Sequence, residues 1–229
     1  MNFNEVFTHE PSPKTLPFWM GSVLLKHIGQ IVSYEFLAVN VGRGLLLAQD
    51  YPHNVSLDYL REREAIPFDE IVSDPGFNQI RGFTPTFVSI RNTVSGDLRP
   101  ILKPEFVIGN KPFMYGYCLS VVGEQDWRTR LGTFQYLALI DHLLVNSSKG
   151  IPLSPLEIRE FLQRTLNEKF QIFRLVFPDF KRIGDYSEYS EAADIKNLFK
   201  NLRQRMAQAG SPFIIPNKTP EGYIILRAE

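Results

Sequence analysis

The stretch that decides the fold is SEAADIKNLFKNLRQRMAQ at residues 190–208, followed by FIIPNKTPEGYIIL at residues 213–226. In the first segment apolar side chains recur at spacings of three and four residues, which predicts one amphipathic helix. The apolar stripe consists of Ile195, Leu198, Phe199, Leu202 and Met206. The second segment predicts a β-hairpin that closes on Gly222-Tyr223. The chain therefore ends in a helix that a hairpin follows directly.

The other side of this helix is rich in cations and amides, and no carboxylate follows Asp194 within it. Lys and Arg neutralise phosphates, while Asn and Gln present paired donors and acceptors that fit base edges. The candidate DNA-binding residues are Lys196, Asn197, Lys200, Asn201 and Gln204 towards bases, with Arg203 and Arg205 towards phosphates. A cationic helix face is also common as merely solvated surface, and periodicity with charge alone favours that alternative.

Composition places the chain among ordinary globular proteins, with 229 residues of which 44% are hydrophobic and 22% charged. This length suits one large domain or two of roughly a hundred residues each. Residues 1–125 hold 10 Lys and Arg against 13 Asp and Glu, a balance of −3, and residues 126–229 hold 15 against 12, a balance of +3. The basic excess lies in the half that carries the candidate recognition helix, which adds a little to the nucleic-acid hypothesis.

Motifs for catalysis, cofactors and metals are not found in the sequence. Cys118 is the one cysteine, which excludes an internal disulfide and a cysteine-based zinc site, and its strand-like surroundings predict a buried side chain. The histidines stand apart from one another, and Asp141-His142 on a helix makes a poor dyad because adjacent helical residues diverge. We therefore expect no metal, no cofactor and no enzymatic activity. Without a secretory signal or a spanning apolar stretch, a cytoplasmic protein without membrane contact is expected.

The first half predicts a flexible arm over residues 1–15 and an α+β sensing or dimerisation domain over residues 16–123. A helix is expected over residues 18–27, and the later elements follow in the order two strands, a helical middle and about three strands. The predicted strands cover residues 31–39, 44–49, 83–91, 98–102, 105–108 and 113–122, with helix over 56–63 continuing irregularly through 69–72, and a turn at 94–97. This order resembles that of the PAS, GAF and roadblock-like sensory modules. The resemblance covers element order only, with no motif behind it.

Beyond a polar break at residues 123–126 the pattern turns helical. Residues 134–145 predict an amphipathic helix, and residues 147–150 predict a turn. Ser154-Pro155-Leu156-Glu157 combines a serine cap, a proline in the first turn and a glutamate three residues after the cap, which predicts a helix from there to about Leu166. Residues 170–177 fit either a strand or a buried helix, and residues 179–190 predict a loop.

Taken together, residues 131–226 resemble the winged helix-turn-helix output domain of two-component response regulators. The most specific matches are Leu202-Arg203-Gln204-Arg205 in the recognition helix and Gly222-Tyr223 at the end of the wing. The capped second helix at Ser154 and the first helix ahead of Gly150 also fit that family. The resemblance implies a domain over residues 127–229 that binds double-stranded DNA, with dimerisation supplying a second half-site.

The chain departs from that family in several places. The segment between the second helix and the recognition helix is much longer, and Leu198 stands where the family usually has a polar residue. Thr219-Pro220-Glu221 replaces the usual Arg before the wing glycine. The first half lacks the acidic pair and the Asp–Lys arrangement of a receiver domain, so control by phosphorylation is not supported.

The sequence therefore predicts an α+β protein, with an antiparallel-sheet sensory-like domain followed by a winged helix-turn-helix. The expected function is that of a homodimeric transcriptional regulator, controlled through the first domain by a small molecule, a partner protein or self-association. Two alternatives stay open. One is an interaction or assembly subunit that has a winged-helix shape without binding DNA, and the other is a small enzyme with its site in the first half.

Overall fold

A computed structural model of the chain describes residues 1–50, 80–111, 116–131, 133–178, 195–217 and 221–228. The fold class is α+β, as predicted, with helices predominating over two small sheets among these residues. The chain divides into two compact units. The first is Met1–Asn110, Tyr115–Glu124 and Leu175–Phe180, and the second is Lys111–Met114, Gln125–Arg174 and Lys181–Glu229.

Helices and one small sheet make up the described part of the chain before Gln125. The described helices are α1 (Phe3–Val6), α2 (Leu16–Lys26), α3 (Tyr34–Asp50) and α4 (Phe87–Thr93), and α4 continues into a π-helical turn (Val94–Leu98) and a 3-10 turn (Arg99–Ile101). The strands are β1 (Val32–Ser33), β2 (Phe106–Lys111) and β3 (Gly116–Val121), in the sheet order β1-β3-β2. β1 runs antiparallel to β3, with Val32 opposite Tyr117.

After Gln125 the described elements are α5 (Trp127–Arg130), α6 (Phe134–Ser147), α7 (Pro155–Val176), α8 (Ile195–Ala209), β4 (Phe213–Ile214) and β5 (Leu226–Arg227). β4 and β5 form an antiparallel pair in which Ile214 lies opposite Leu226. No helix in the described ranges is long and apolar enough to cross a membrane.

The N-terminus is packed rather than loose, so the flexible arm predicted for residues 1–15 is wrong for its first seven residues. Asn2 and Glu5 cap α1 reciprocally, each side chain accepting a backbone N–H from the other residue at 3.0 and 2.8 Å. Phe3 and Phe7 are buried, with ring centroids 4.5 Å apart. Burial of two aromatic rings stabilises this order, and polar composition hid it.

α3 replaces the strand pair that the sequence predicts at residues 31–39 and 44–49; of those strands, β1 alone is observed. The β-branched residues and glycines there favour strands and a turn locally, but the burial of Leu37, Ala38 and Val41 follows a helical period. Gly44 is required within α3, because a Cβ at that position would collide with the Trp19 indole. Close packing against α2, which lies where predicted, overrides local propensity.

α4 likewise replaces the strand predicted at residues 83–91. The Thr86 hydroxyl accepts the backbone N–H of Ser89 at 3.1 Å and caps the helix. The helical course then continues through the turn expected at residues 94–97 and the strand expected at residues 98–102. The order of elements in the described part of the first half thus differs from the order predicted from the sequence.

The last two strands of the first half are confirmed, with shifted ends, as β2 and β3. Cys118 on β3 is 2% exposed, which confirms the buried side chain. The helix predicted at residues 56–63, its continuation through 69–72 and the loop at residues 179–190 lie outside the described residues.

The helix starts predicted at Phe134 and Pro155 are confirmed, whereas the start predicted at Ser190 lies outside the described residues. Ser154 and Glu157 form the expected capping box, in which the Ser154 hydroxyl accepts the Glu157 N–H at 3.3 Å and the Glu157 carboxylate accepts the Ser154 N–H at 2.8 Å. α7 runs well beyond Leu166, because Phe170, Phe173 and Val176 continue its buried stripe at spacings of three and four. The sequence left open whether residues 170–177 form a strand or a buried helix, and residues 170–176 form the helix.

Candidate nucleic-acid interface

The candidate interface is built on one side of α8, whose other side anchors it in the second unit. The anchoring side chains are buried and consist of Ile195, Leu198, Phe199, Leu202, Met206 and Ala209. Phe199 is fully buried and stacks on the Tyr223 ring, with centroids 3.7 Å apart and planes 1° from parallel. The apolar stripe predicted from the sequence is confirmed, and it fixes which face of α8 turns outward.

The outward face of α8 carries six of the seven predicted residues. Exposed side chains are Lys196, Asn197, Lys200, Asn201, Gln204 and Arg205. No carboxylate lies within α8 to offset the lysines and the arginine. Within the described part of the chain, this face thus presents cations and amides to solvent together, the combination that phosphate and base contacts need.

Arg203 stands apart from these six residues because its guanidinium faces the chain itself. Its Nε donates to the Ile215 carbonyl oxygen at 2.7 Å, and its Nη2 donates to the Pro216 carbonyl oxygen at 2.5 Å. The side chain is half-buried. The structure places Arg203 against the segment that follows β4, a position the sequence could not reveal since its partners are main-chain groups.

The C-terminal segment pairs with two parts of the second unit. Besides the β4–β5 pairing, Tyr223 and Leu153 exchange two backbone hydrogen bonds of 2.9 and 2.8 Å. Leu153, between α6 and α7, thus forms an isolated β-bridge with Tyr223, which precedes β5. Gly222 is needed at this crossing, because its φ is +143° and a Cβ would collide with the Leu153 carbonyl. The Gly-Tyr pair therefore lies at the β-bridge to Leu153, whereas the sequence predicted it at the closure of the hairpin.

α6 and α7 contact each other, and the end of α6 contacts the C-terminal segment. The His142 ring stacks on Phe161 with centroids 3.8 Å apart, and the Lys169 ammonium lies 5.4 Å from the Phe134 ring centre. The Ser147 hydroxyl accepts the Ile225 N–H at 2.9 Å and ties the last strand to the end of α6. These contacts hold the helices and the strands of the second unit together by aromatic and hydrogen-bonding contacts as well as apolar ones.

Two ionisable groups on this scaffold have shifted pKa values. Desolvation lowers the pKa of His142, and the charge of Arg164 adds to the shift. Hydrogen bonds from the Ser154 side chain and backbone lower the pKa of the Glu157 carboxyl. Asp141 forms an ion pair with Arg128, so it and His142 turn to different partners.

A groove of about 510 Å³ lies beside the candidate face within the second unit. Its lining includes Pro155 and Arg159 at the start of α7, Lys196 and Arg203 on α8, and Tyr223. Arg159 is not among the residues predicted from the sequence, although its spacing from the Ser154 cap puts it one turn into α7. Its exposed guanidinium adds a cation from a second helix to the border of the candidate face.

The first unit has its own features. A cleft of about 160 Å³ is lined mainly by apolar residues, among them Phe87, Val88 and Phe177, with Arg81 at its edge. Tyr34 is buried nearby, its ring 4.8 Å from Phe87 between centroids, and burial raises the pKa of its hydroxyl well above the ordinary value. The cleft thus offers an apolar surface with one cation for a small molecule.

The described residues contain no group of three or more His, Cys, Asp or Glu side chains placed to hold one metal ion. No protein-family model, curated protein or solved structure matches this chain.

Proposed function

We propose that residues 127–229 form a winged helix-turn-helix that binds double-stranded DNA, and that the protein is a transcriptional regulator. The observation that carries the proposal is the exposed face of α8, where lysines, an arginine and amides stand without a carboxylate beside a hairpin. Such a face neutralises phosphates and reads bases, and an α-helix fits the major groove.

The order of elements supports the same proposal. It runs α6, the β-bridge residue Leu153, α7, α8 and the two strands of the hairpin, and Leu153 pairs with Tyr223, which precedes β5. In a winged helix the hairpin lies beside the recognition helix and touches the adjacent backbone or minor groove, while that helix enters the major groove. In this scheme Lys196, Lys200 and Arg205 neutralise phosphates, and Arg159 extends the phosphate contacts from α7.

The remaining parts of the hypothesis concern control. We propose that residues 16–123 receive the input, as a ligand, a partner protein or self-association, in a cytoplasmic homodimer. The cleft beside Phe87 supports a small-molecule input because it combines apolar walls with Arg81. Two copies would supply two half-sites, which raises affinity beyond what one recognition helix gives.

Fluorescence anisotropy with a random-sequence duplex at several salt concentrations tests the DNA hypothesis. Lys200→Glu combined with Arg205→Glu should weaken binding by about a hundredfold at low salt, because two phosphate partners become repulsive. Lys14→Glu combined with Lys149→Glu makes the same change in net charge at exposed positions outside α8 and serves as the matched control. Equal losses in the two double variants, or no binding by the unchanged protein at low salt, contradict the hypothesis.

A second candidate function is a protein-interaction or assembly subunit, and one observation favours it. Ile214 and Leu226 lie opposite each other on the hairpin and remain 50% and 44% exposed. A protein partner or a second copy would cover such a pair. Absence of DNA binding, together with a fall in assembly size on Ile214→Lys by light scattering, would favour this function.

A further inference from the structure

The geometry of Arg203 assigns it a task different from that of its neighbours on α8. We propose that Arg203 is a positioning residue, which holds the hairpin beside the exposed face of α8 so that both reach one duplex together. This inference rests on the proposed DNA binding. It removes Arg203 from the phosphate contacts that the sequence predicts for it.

Two hydrogen bonds carry the inference. Nε and Nη2 of Arg203 donate to consecutive carbonyl oxygens, those of Ile215 and Pro216, at 2.7 and 2.5 Å. A guanidinium matches two adjacent acceptors because its N–H groups form a rigid planar fork, and a lysine ammonium has no such fork. The two carbonyls belong to the segment of the hairpin that directly follows β4.

The position of Arg203 along α8 makes this contact relevant to binding. Lys200, Gln204 and Arg205 on the same helix turn to solvent, whereas Arg203 is half-buried against the hairpin. Tyr223 on the returning strand is held separately by its stack on Phe199 and by the Leu153 bridge. Since these contacts fix the returning strand, Arg203 supplies the corresponding contact to the outgoing one.

The test compares Arg203→Lys with Arg205→Lys, because both keep the charge and only the first removes the fork. The Ala228 N–H donates to the Pro212 carbonyl across the hairpin, and its exchange in the free protein can be followed by NMR. It should exchange about tenfold faster in Arg203→Lys, the factor that follows from losing one charge-assisted hydrogen bond. The amides of α6 should keep their protection in both variants.

Binding of the folded variants to random duplex then separates positioning from mere stability. Arg203→Lys should weaken binding about tenfold and lower the slope of log K against log salt by about one. The change in slope corresponds to one phosphate contact that the hairpin no longer makes when Arg203 does not hold it. Arg205→Lys should leave the affinity within about threefold of the original and the slope unchanged, because a lysine still neutralises a phosphate. A loss that comes only from stability would leave the slope of the folded molecules unchanged and would overturn the inference.

The two proposals fail separately. Equal exchange rates in the two variants overturn the positioning role whatever the protein binds. Faster exchange with unchanged affinity and slope also overturns it, since the hairpin is then no part of the DNA interface. If the unchanged protein binds no duplex while Arg203→Lys still loosens the hairpin, the proposed function fails and the hydrogen-bonded restraint remains.

Discussion

α7 and α8 are both amphipathic helices of the second unit, yet their exposed surfaces differ in one respect. α7 exposes acidic and basic side chains together, with Glu157, Glu160 and Glu168 among its arginines, whereas α8 exposes cations and amides alone. Mixed charge is enough to keep a helix surface hydrated. A carboxylate near a phosphate backbone would repel it, so the exposed side of α8 fits the proposed DNA binding better than that of α7 does. The comparison therefore favours α8, rather than α7, as the proposed binding face.

The largest effect on this comparison should come from the buried side of α8. Phe199→Ala removes a fully buried ring that stacks on Tyr223, and it should lower the free energy of unfolding by about 3–5 kcal/mol. Phe161→Ala on α7 is the control, because that ring stacks on His142 but is only half-buried. Urea denaturation followed by circular dichroism measures both. If the two variants lose the same stability, the anchoring of α8 through Phe199 is not special.

A smaller effect, on the salt dependence of DNA binding, tests the exposed sides of α7 and α8. Lys200→Gln and Arg205→Gln should each lower the slope of log K against log salt by about one, because each removes one phosphate partner. Arg164→Gln on α7 should leave the slope unchanged, since Arg164 lies on the surface of mixed charge. Anisotropy titrations from low to moderate salt give the slopes. Slopes that fall equally in all three variants would mean that net charge, rather than the face of α8, attracts the DNA.

The same two helices show what the sequence could predict. The start of α7 and the buried stripes of α7 and α8 follow from local signals, the Ser154 cap and apolar spacing, because both act within a few residues of chain. The candidate face was predictable for the same reason, since residues opposite an apolar stripe must turn outward. The hydrogen bonds of Arg203 could not be predicted because its partners are backbone carbonyls, which leave no trace in the side-chain pattern.

The first unit was harder to predict for a related reason. The glycines and β-branched residues of α3 favour a hairpin when they are considered alone, and Gly44 looks like a turn residue. Its purpose becomes visible only when Trp19 of α2 packs against it. Contacts between distant segments therefore decided α3, whereas neighbouring residues decided α8.

The smallest expected effect concerns His142 on α6 and is a change of the free energy of unfolding with pH. Desolvation, aided by Arg164 and opposed by Glu157, lowers the pKa of His142 below its ordinary value of 6.5. The folded protein thus favours the neutral ring, and the unfolded chain takes up the proton first as the pH falls. The free energy of unfolding should therefore decrease as the pH drops below about 6.5, until the folded protein is protonated as well.

Urea midpoints at pH 7.5 and 5.5 measure this dependence, with His142→Gln as the variant that cannot titrate. The variant should lose less stability than the original protein between the two pH values, because the contribution of His142 is missing while every other titrating group is retained. α7 carries Phe161, which stacks on His142, so protonation should weaken the α6–α7 contact rather than the face of α8. If both proteins lose the same stability, the stack does not disfavour the imidazolium form, and another group accounts for the acid sensitivity of the second unit.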